Sequence, residues 1–585
     1  MARTIIRGAL VVDGTGSPAA RRDVAVAGDR IAEVGEVGEG GSIDRAAGDI
    51  EIDATGLIVT PGFVDLHTHF DGQITWDSEV RPSSLHGVTS IAVGNCGVGF
   101  APAAPDRHDW LIGLLEGVED IPGTALAEGL TWDWETFPDY LDALDRRSWT
   151  VDVGAHVPHA AVRTYVMGER GADHRERPAA QECERMAALV AEGIAAGAVG
   201  FATSRTDVHR TNAGHNIGTL SADADELLAI AGALRRAGGV IQLISDLYQT
   251  TDDDLFRSET DLLRRVVEVS GRPLSFTMQQ AYHAPERWRA QMAWVDSMVD
   301  AGHDVKAQVA ARPIGVLLGL AATANPFMLC ASYGELAALP VAQRAAAMRG
   351  AGRRERILAE HAALTPTLQP GILAQLVGKF EAMFRLSDPV DYDLRVDESV
   401  AADAARRGID AAALTYDALS AGDGDQLLYF PLFNFADGDM SVVHRMLASP
   451  NVLLGLSDAG AHCGAICDAS MPTSSLTMWA RDRSGEHGLS IERIVHLNTE
   501  RNARHLGWAD RGVVAPGHLA DLNLIDLDRL ACHPPRLVND LPAGGRRLVQ
   551  DASGYVATVK SGVITQREGR LTGETPGRLV RGARS

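Results

Sequence analysis

The chain has 585 residues and carries 77 acidic against 54 basic side chains, a formal charge of −23 at pH 7. Such a balance argues against nucleic acid and anionic membrane as partners, since neither gains counterions from a net acid, and it points to small-molecule chemistry. The six cysteines (96, 183, 330, 463, 467, 532) are too scattered for a disulfide framework, and no apolar run is long enough to cross a bilayer, so a cytoplasmic protein is expected.

The opening "MARTIIRGALVV" has no long apolar core or cleavage site before "DGTG" turns it back, so it reads as a first strand. Residues 1–60 continue in short alternating runs, "DVAVAGDRIAEVG" and "GDIEIDATGLIVTPG", separated by Gly and Asp turns. The same texture returns after about residue 506 in "RGVVAPGHLADLNLIDLD" and "YVATVKSGVITQREGRLTGE". Both termini therefore predict one small β-sandwich domain, 1–60 with 506–585, interrupted by residues 61–505.

Inside that interruption eight apolar runs alternate with helical segments: "GFVDLHTHFD", "TSIAVGNCGVG", "TVDVGAHVPHA", "GAVGFATSR", "GGVIQLISDL", "RPLSFTMQQ", "HDVKAQVAAR" and "NVLLGLSDAGAH". The pattern predicts an α/β fold, a TIM-like (β/α)8 barrel, with its chemistry at the C-terminal strand ends. The polar residues there are His67, His69, Cys96, His159, Arg205, Asp246, Gln279, Arg312 and Asp458. A long segment between runs seven and eight, about 315–450, reads as a helical cap over the barrel mouth. A loop after run four, "SRTDVHRTNAGHNIGTLS", adds Arg205, His209 and Arg210.

Residues i and i+2 of an extended chain share a face, so His67 and His69 are placed to hold one ion while Thr68 packs away. Two satisfied polar residues would be the plainer reading, but "GLSDAG" supplies an aspartate where the eighth strand should end. His159 reads equally as a substrate or oxyanion contact and as a histidine bonded within the barrel. Gln279 reads as an amide donor to substrate or as a partner for strand-end backbone. Cys463 and Cys467 would share one helical face, where burial is the simpler account.

The frame "IDATGLIVTPGFVDLHTHFD", the turn "GNCGVGFAP", "LSDAG" and the tail "RGVVAPGHLADLNLID" resemble the amidohydrolase superfamily, and "GNCG" with "GETPGRLVRG" is similar to its N-acyl-D-amino-acid deacylase (D-aminoacylase) group. That resemblance implies zinc at the barrel mouth, with His67, His69 and Cys96 as ligands and Asp458 as ligand or general base. Cys96 has the alternative of being a small buried residue between Gly94 and Gly97. It also implies further histidines at the ends of strands five and six, where the alignment places Leu243 and Met278, neither of which replaces imidazole. One zinc ion rather than two is therefore expected. The deacylase carboxylate clamp is missing as well, Gln280 standing where a lysine is usual.

A clamp of different design is expected from Arg205, His209 and Arg210, against the alternative that an arginine pairs with Asp207 or another acid at the mouth. The resulting expectation is a metal-dependent amidohydrolase that cleaves an amide or other C–N bond in a small carboxylate-bearing molecule, with no membrane or nucleic-acid partner and with homo-oligomerisation left open. Two rivals stand beside it: the same metal used for a non-hydrolytic step such as cyclisation or decarboxylation, and an inactive scaffold of the same fold.

Overall fold

The computed structural model of the protein describes residues 3–37, 43–369 and 371–582. Eight parallel strands form its centre: β1 (Phe63–Asp65), β2 (Val88–Val93), β3 (Asp152–Pro158), β4 (Gly200–Arg205), β5 (Val240–Ser245), β6 (Leu274–Thr277), β7 (Val305–Val309) and β8 (Val452–Leu454). They lie in sequence order within one sheet. Each falls in one of the eight expected runs, and β2, β3 and β5 are buried along their whole length, as strands covered on both faces must be.

The two ends of this sheet meet beyond the regular strands. Thr68 pairs in parallel with Ala459, and the backbone N–H of His69 donates to the carbonyl of Ala459 at 2.7 Å. Asn502 spans the same seam lower down, its side-chain amide donating to the carbonyls of Val64 (2.8 Å) and Leu454 (2.7 Å). The closure carries the segment after β1 against the segment after β8.

Strands from both termini form one nine-stranded hydrogen-bonded sheet, in which Ile58–Pro61 pairs with Leu522–Ile525. Its apolar side chains, among them Ile6, Val24, Val59, Leu522 and Val559, pack on each other. Buried ion pairs tie it to the barrel: Nζ of Lys560 lies 2.9 Å from Asp521 and 3.0 Å from Asp152, which also binds Arg511 at 2.6 Å.

The segment between β7 and β8 is not wholly helical. Helices such as Val341–Met348, Arg353–Leu364 and Ala411–Leu419 pack with a three-stranded antiparallel sheet of Ile314–Gly319, Leu427–Phe433 and Phe384–Arg385. The central strand pairs with one more than a hundred residues earlier, a partner that local periodicity cannot reveal. Leu318, Phe327, Met348, Ile357, Tyr416 and Phe430 give this segment its own core. Among the described residues, no helix is long and apolar enough to cross a membrane.

Candidate metal centre

Beyond Asp65 the chain stays extended through two histidines. Thr68 is turned aside, its Oγ1 donating to the carbonyl of Ala92 at 2.8 Å, which leaves His67 and His69 on the opposite face with ring centroids 5.4 Å apart. At the end of β7, Gln308 donates through Nε2 to Ser275 Oγ (2.9 Å), so its Oε1 is free to accept from Nδ1 of His67 at 2.6 Å. The Nε2 lone pair of His67 therefore faces the centre, 3.2 Å from Cys96 Sγ and 3.3 Å from Asp458 Oδ1. Nε2 of His69 is 3.8 Å from the same carboxylate oxygen.

Cys96 reaches this point through strained backbone. The turn Asn95–Gly97 holds Cys96 at φ 55°, between Gly94 at φ 81° and Gly97 at φ 68°. A Cβ on Gly97 would come within 2.6 Å of Thr203 Cα, so the close approach of this turn to β4 requires glycine. The Cys96 N–H donates to Gln242 Oε1 at 2.7 Å, which anchors the turn to β5. Asp458 likewise lies at φ 44°, and non-glycine residues held in this region typically mark functional sites.

Suitable ligand atoms of His67, His69 and Cys96 all lie within 4.8 Å of one another. Donors on one tetrahedral zinc ion sit about 3.3 to 3.6 Å apart for Zn–N and Zn–S bonds of about 2.0 and 2.3 Å. The distances of 3.2 to 3.8 Å around His67 and Asp458 fit that requirement. Burial, with the neighbouring imidazoles of His67, His462 and His209, keeps the His69 pKa well below the usual value, which favours the neutral ring with one nitrogen lone pair available to a metal.

A buried carboxyl that sequence reasoning missed completes the surroundings. Glu119, the last residue of helix α1 (His108–Glu119), places Oε1 3.4 Å from Nδ1 of His69 and Oε2 3.9 Å from Nε2 of His462. Neither Glu119 Oε1 nor His69 Nδ1 has a hydrogen-bond partner. Burial pushes the Glu119 carboxyl well up and the Asp71 carboxyl to about 8. Burial also raises the Cys96 thiol well above its usual range, with Glu119 and Asp458 adding to the effect. Two histidines, a thiol and the carboxyls of Glu119 and Asp458 share this cavity, with no lysine or arginine lining it among the described residues, so its donor set suits a bound cation.

Several expected residues lie elsewhere, most of them for one reason. Along β5, Gln242 and Ile244 face the barrel interior, whereas Leu243 packs outward with Leu227 and Leu263. On β6 and just beyond it, Thr277 and Gln279 face the cavity and Met278 does not line it. The inward-facing positions of strands five and six are thus these residues rather than Leu243 and Met278, and they include no imidazole.

The same facing removes His159 and Arg205 from the site. His159 bonds Thr203 Oγ1 (2.8 Å) and Glu226 (3.0 Å), where Arg163 joins it. Arg205 is paired with Glu259 at 2.7 Å, and Arg210 with Asp207 at 2.7 Å near the surface. The expected clamp does not assemble, because both arginines are held by acids outside the cavity. His209 does line it, its Nδ1 2.8 Å from Ser204 Oγ, and burial lowers its pKa to about 3. Gln279 lines it too, its Oε1 without a partner. Arg312 is buried against Asp468 at 3.0 Å and Ser470 at 2.9 Å.

Gln308 carried a usable signal, being the polar residue at an inward position of an apolar strand. Glu119 carried none, since an acid near a helix end is ordinary.

Comparison with known proteins agrees with this architecture. A D-aminoacylase of Alcaligenes xylosoxydans xylosoxydans is 33% identical over 199 residues, 34% of this chain and 37% of the relative, so the match spans little more than a third of that protein. An "Uncharacterized protein" of Mycobacterium tuberculosis is 26% identical over 606 aligned positions, covering 97% of this chain and 92% of the relative. The crystal structure of an N-acyl-D-glutamate deacylase from Bordetella bronchiseptica, complexed with zinc and a phosphonate inhibitor, superposes with a TM-score of 0.61 over 99% of both chains at 23% identity. The pattern described as "Amidohydrolase family" matches residues 51–566, from a strand of the N-terminal sheet through the barrel and into the C-terminal strands of that sheet. The chain belongs to the amidohydrolase family.

Proposed function

We propose that the protein is a metal-dependent hydrolase of a C–N bond, other than a peptide bond, in a small molecule. We further propose one zinc ion, held by His67, His69, Cys96 and Asp458. The observation that carries this reading is the convergence of Cys96 Sγ and Asp458 Oδ1 on Nε2 of His67, at 3.2 and 3.3 Å. Membership of the family and the names of its relatives, D-aminoacylase and N-acyl-D-glutamate deacylase, support it. A single ion follows from the inward positions Gln242, Ile244, Thr277 and Gln279, which offer no second histidine pair.

A zinc ion held by these residues would supply Lewis acidity to a scissile carbonyl and would acidify an attacking water. Asp458 is the one liganding carboxylate open to the cavity, its side chain 20% exposed. It takes a proton from the water and returns it to the leaving nitrogen, so amide and water become acid and amine. Gln308 holds the His67 imidazole in orientation, and Glu119 lies 3.4 Å from Nδ1 of His69. Gln279 presents its unpartnered amide oxygen to the substrate. The substrate carboxylate expected from sequence is not carried into this reading, because its clamp does not assemble.

The proposed division of the chain is a β-sandwich domain from residues 1–60 and 506–585 around a barrel of 61–505, with 315–450 as its cap. Cap residues Ile372, Leu432 and Phe433 line the cavity, which supports that role.

Turnover of neutral and anionic acyl amides in 18O-labelled water tests the reading. Label in the acid product is expected, with Asp458→Asn reducing kcat/KM by about 10² to 10⁴-fold. A product without label overturns hydrolysis in favour of a non-hydrolytic step. Absence of both turnover and stoichiometric metal overturns the enzyme in favour of a scaffold.

A further inference from the structure

The cavity at the centre has a volume of about 220 Å³ and walls of aliphatic and aromatic side chains. Ile244, Ile314 and Leu456 are buried around it, and Tyr248 meets Phe433 edge to face with ring centroids 5.6 Å apart. The apolar lining continues to the mouth, where Val208 and Ile372 line the same cavity while 52% and 50% exposed. Single exposed aliphatics are ordinary, but a rim continuous with a buried apolar wall is the form of a small-molecule site.

None of its polar groups is a fixed cation. His209, Thr277, Gln279 and His462 offer hydrogen bonds, while among the described residues no lysine or arginine lines the cavity. The arginines closest in sequence to the lining are held elsewhere, Arg205 by Glu259 and Arg210 by Asp207, and Arg312 is buried on Asp468 with its guanidinium 3.5 Å from the Tyr392 ring centroid. The carboxyls of Asp458 and Glu119 face the space instead. Away from the metal position, an incoming carboxylate would lose its hydration against an apolar wall and find no lysine or arginine among the described residues, whereas an uncharged apolar group is favoured by the same wall.

Resting on the hydrolytic reading, we propose that the site takes neutral apolar amides: molecules with no carboxylate on either side of the scissile bond and an alkyl or aryl group of about benzyl size against Ile244 and Phe433. This sets the protein apart from relatives whose names specify N-acyl amino acids.

The test uses a pair that differs only by the carboxylate, N-acetylbenzylamine and N-acetylphenylglycine, the latter as each enantiomer. Calorimetric binding to the full-length zinc-loaded protein is expected to be at least about tenfold tighter for the neutral amide, a difference of about 1.4 kcal/mol. Equal or tighter binding of either carboxylate, or no binding of the neutral amide, overturns the proposal. Val208→Arg, at an exposed rim position, is expected to narrow the gap by strengthening carboxylate binding several-fold. An unchanged gap in that variant overturns the assignment to a missing cation. Binding of N-acetylbenzylamine without release of benzylamine overturns the hydrolytic reading and leaves the substrate class standing.

Discussion

Oε1 of Gln308 accepts the Nδ1 proton of His67 across 2.6 Å, and that bond decides which nitrogen of His67 faces the metal centre. Its orientation is itself set by Ser275 at 2.9 Å. Gln308→Leu keeps the side chain's bulk and removes the acceptor. Zinc affinity, measured by competition with a chelator, is expected to fall about 10- to 100-fold with the fold intact. Unchanged affinity would show that the tautomer of His67 does not depend on this contact.

Cys96 separates metal ligation from simple burial. The wild-type chain is expected to hold one zinc ion, and Cys96→Ser to weaken it by more than the roughly 10- to 100-fold that outer-shell changes cost. In the cobalt-substituted protein a thiolate-to-metal absorption band should be present and should vanish in the variant. Two ions per wild-type chain would sink the single-ion assignment, and a band that survives the substitution would remove Cys96 from the ligand set.

Lys560 is buried between Asp521 at 2.9 Å and Asp152 at 3.0 Å, where the β domain meets the barrel. Removing its charge leaves two carboxylates with Arg511 alone beside Asp152. Lys560→Met is expected to destabilise the protein by about 3 to 5 kcal/mol in chemical denaturation. Zinc stoichiometry should be unchanged in the fraction that folds, because the metal centre lies at the other end of the strands.

His86 predicts the acid side of the stability profile. It is buried, bonded to Thr473 Oγ1 at 2.8 Å and to the Gln550 carbonyl at 3.0 Å, and burial lowers its pKa from 6.5 to about 4. Between those values the unfolded chain binds a proton that the folded chain does not, so stability falls as pH drops from 6.5 towards 4. At pH 5 the loss from this residue is about 2 kcal/mol relative to neutral pH. Denaturation of metal-free protein at pH 7 and pH 5 measures it, and His86→Gln should flatten the difference by that amount.

Much of the fold was legible because it depends on local pattern. Eight apolar runs separated by helical segments mark a parallel barrel, and all eight contain its strands. The pair His67 and His69 was legible because two residues one apart in extended chain share a face wherever that chain goes. The antiparallel sheet inside the insertion was not, since Ile314–Gly319 finds its partner in Leu427–Phe433 only after the intervening chain has folded.

The misplaced site residues share a physical cause. The sequence places His159, Arg205, Leu243 and Met278 at the strand ends, while the residues that face inward are at alternate positions, such as Gln242, Ile244, Thr277 and Gln279. A half-exposed strand shows its facing by alternating polar and apolar residues. A barrel strand is buried on both sides, so its sequence gives little sign of which face is which, and an error of one residue reverses it.

By itself, then, the sequence determined the strand count, the two-ended β domain and the chemical types gathered at the strand ends, all of which follow from short-range periodicity. Only the tertiary structure decided which of those residues share one cavity. The closure of Thr68 on Ala459 brings Asp458 to the histidines from nearly four hundred residues away, and α1 buries Glu119 beside them. Such meetings depend on which strand faces close the barrel, and ion pairing with acids elsewhere removes the arginines that sequence had assigned to the same place.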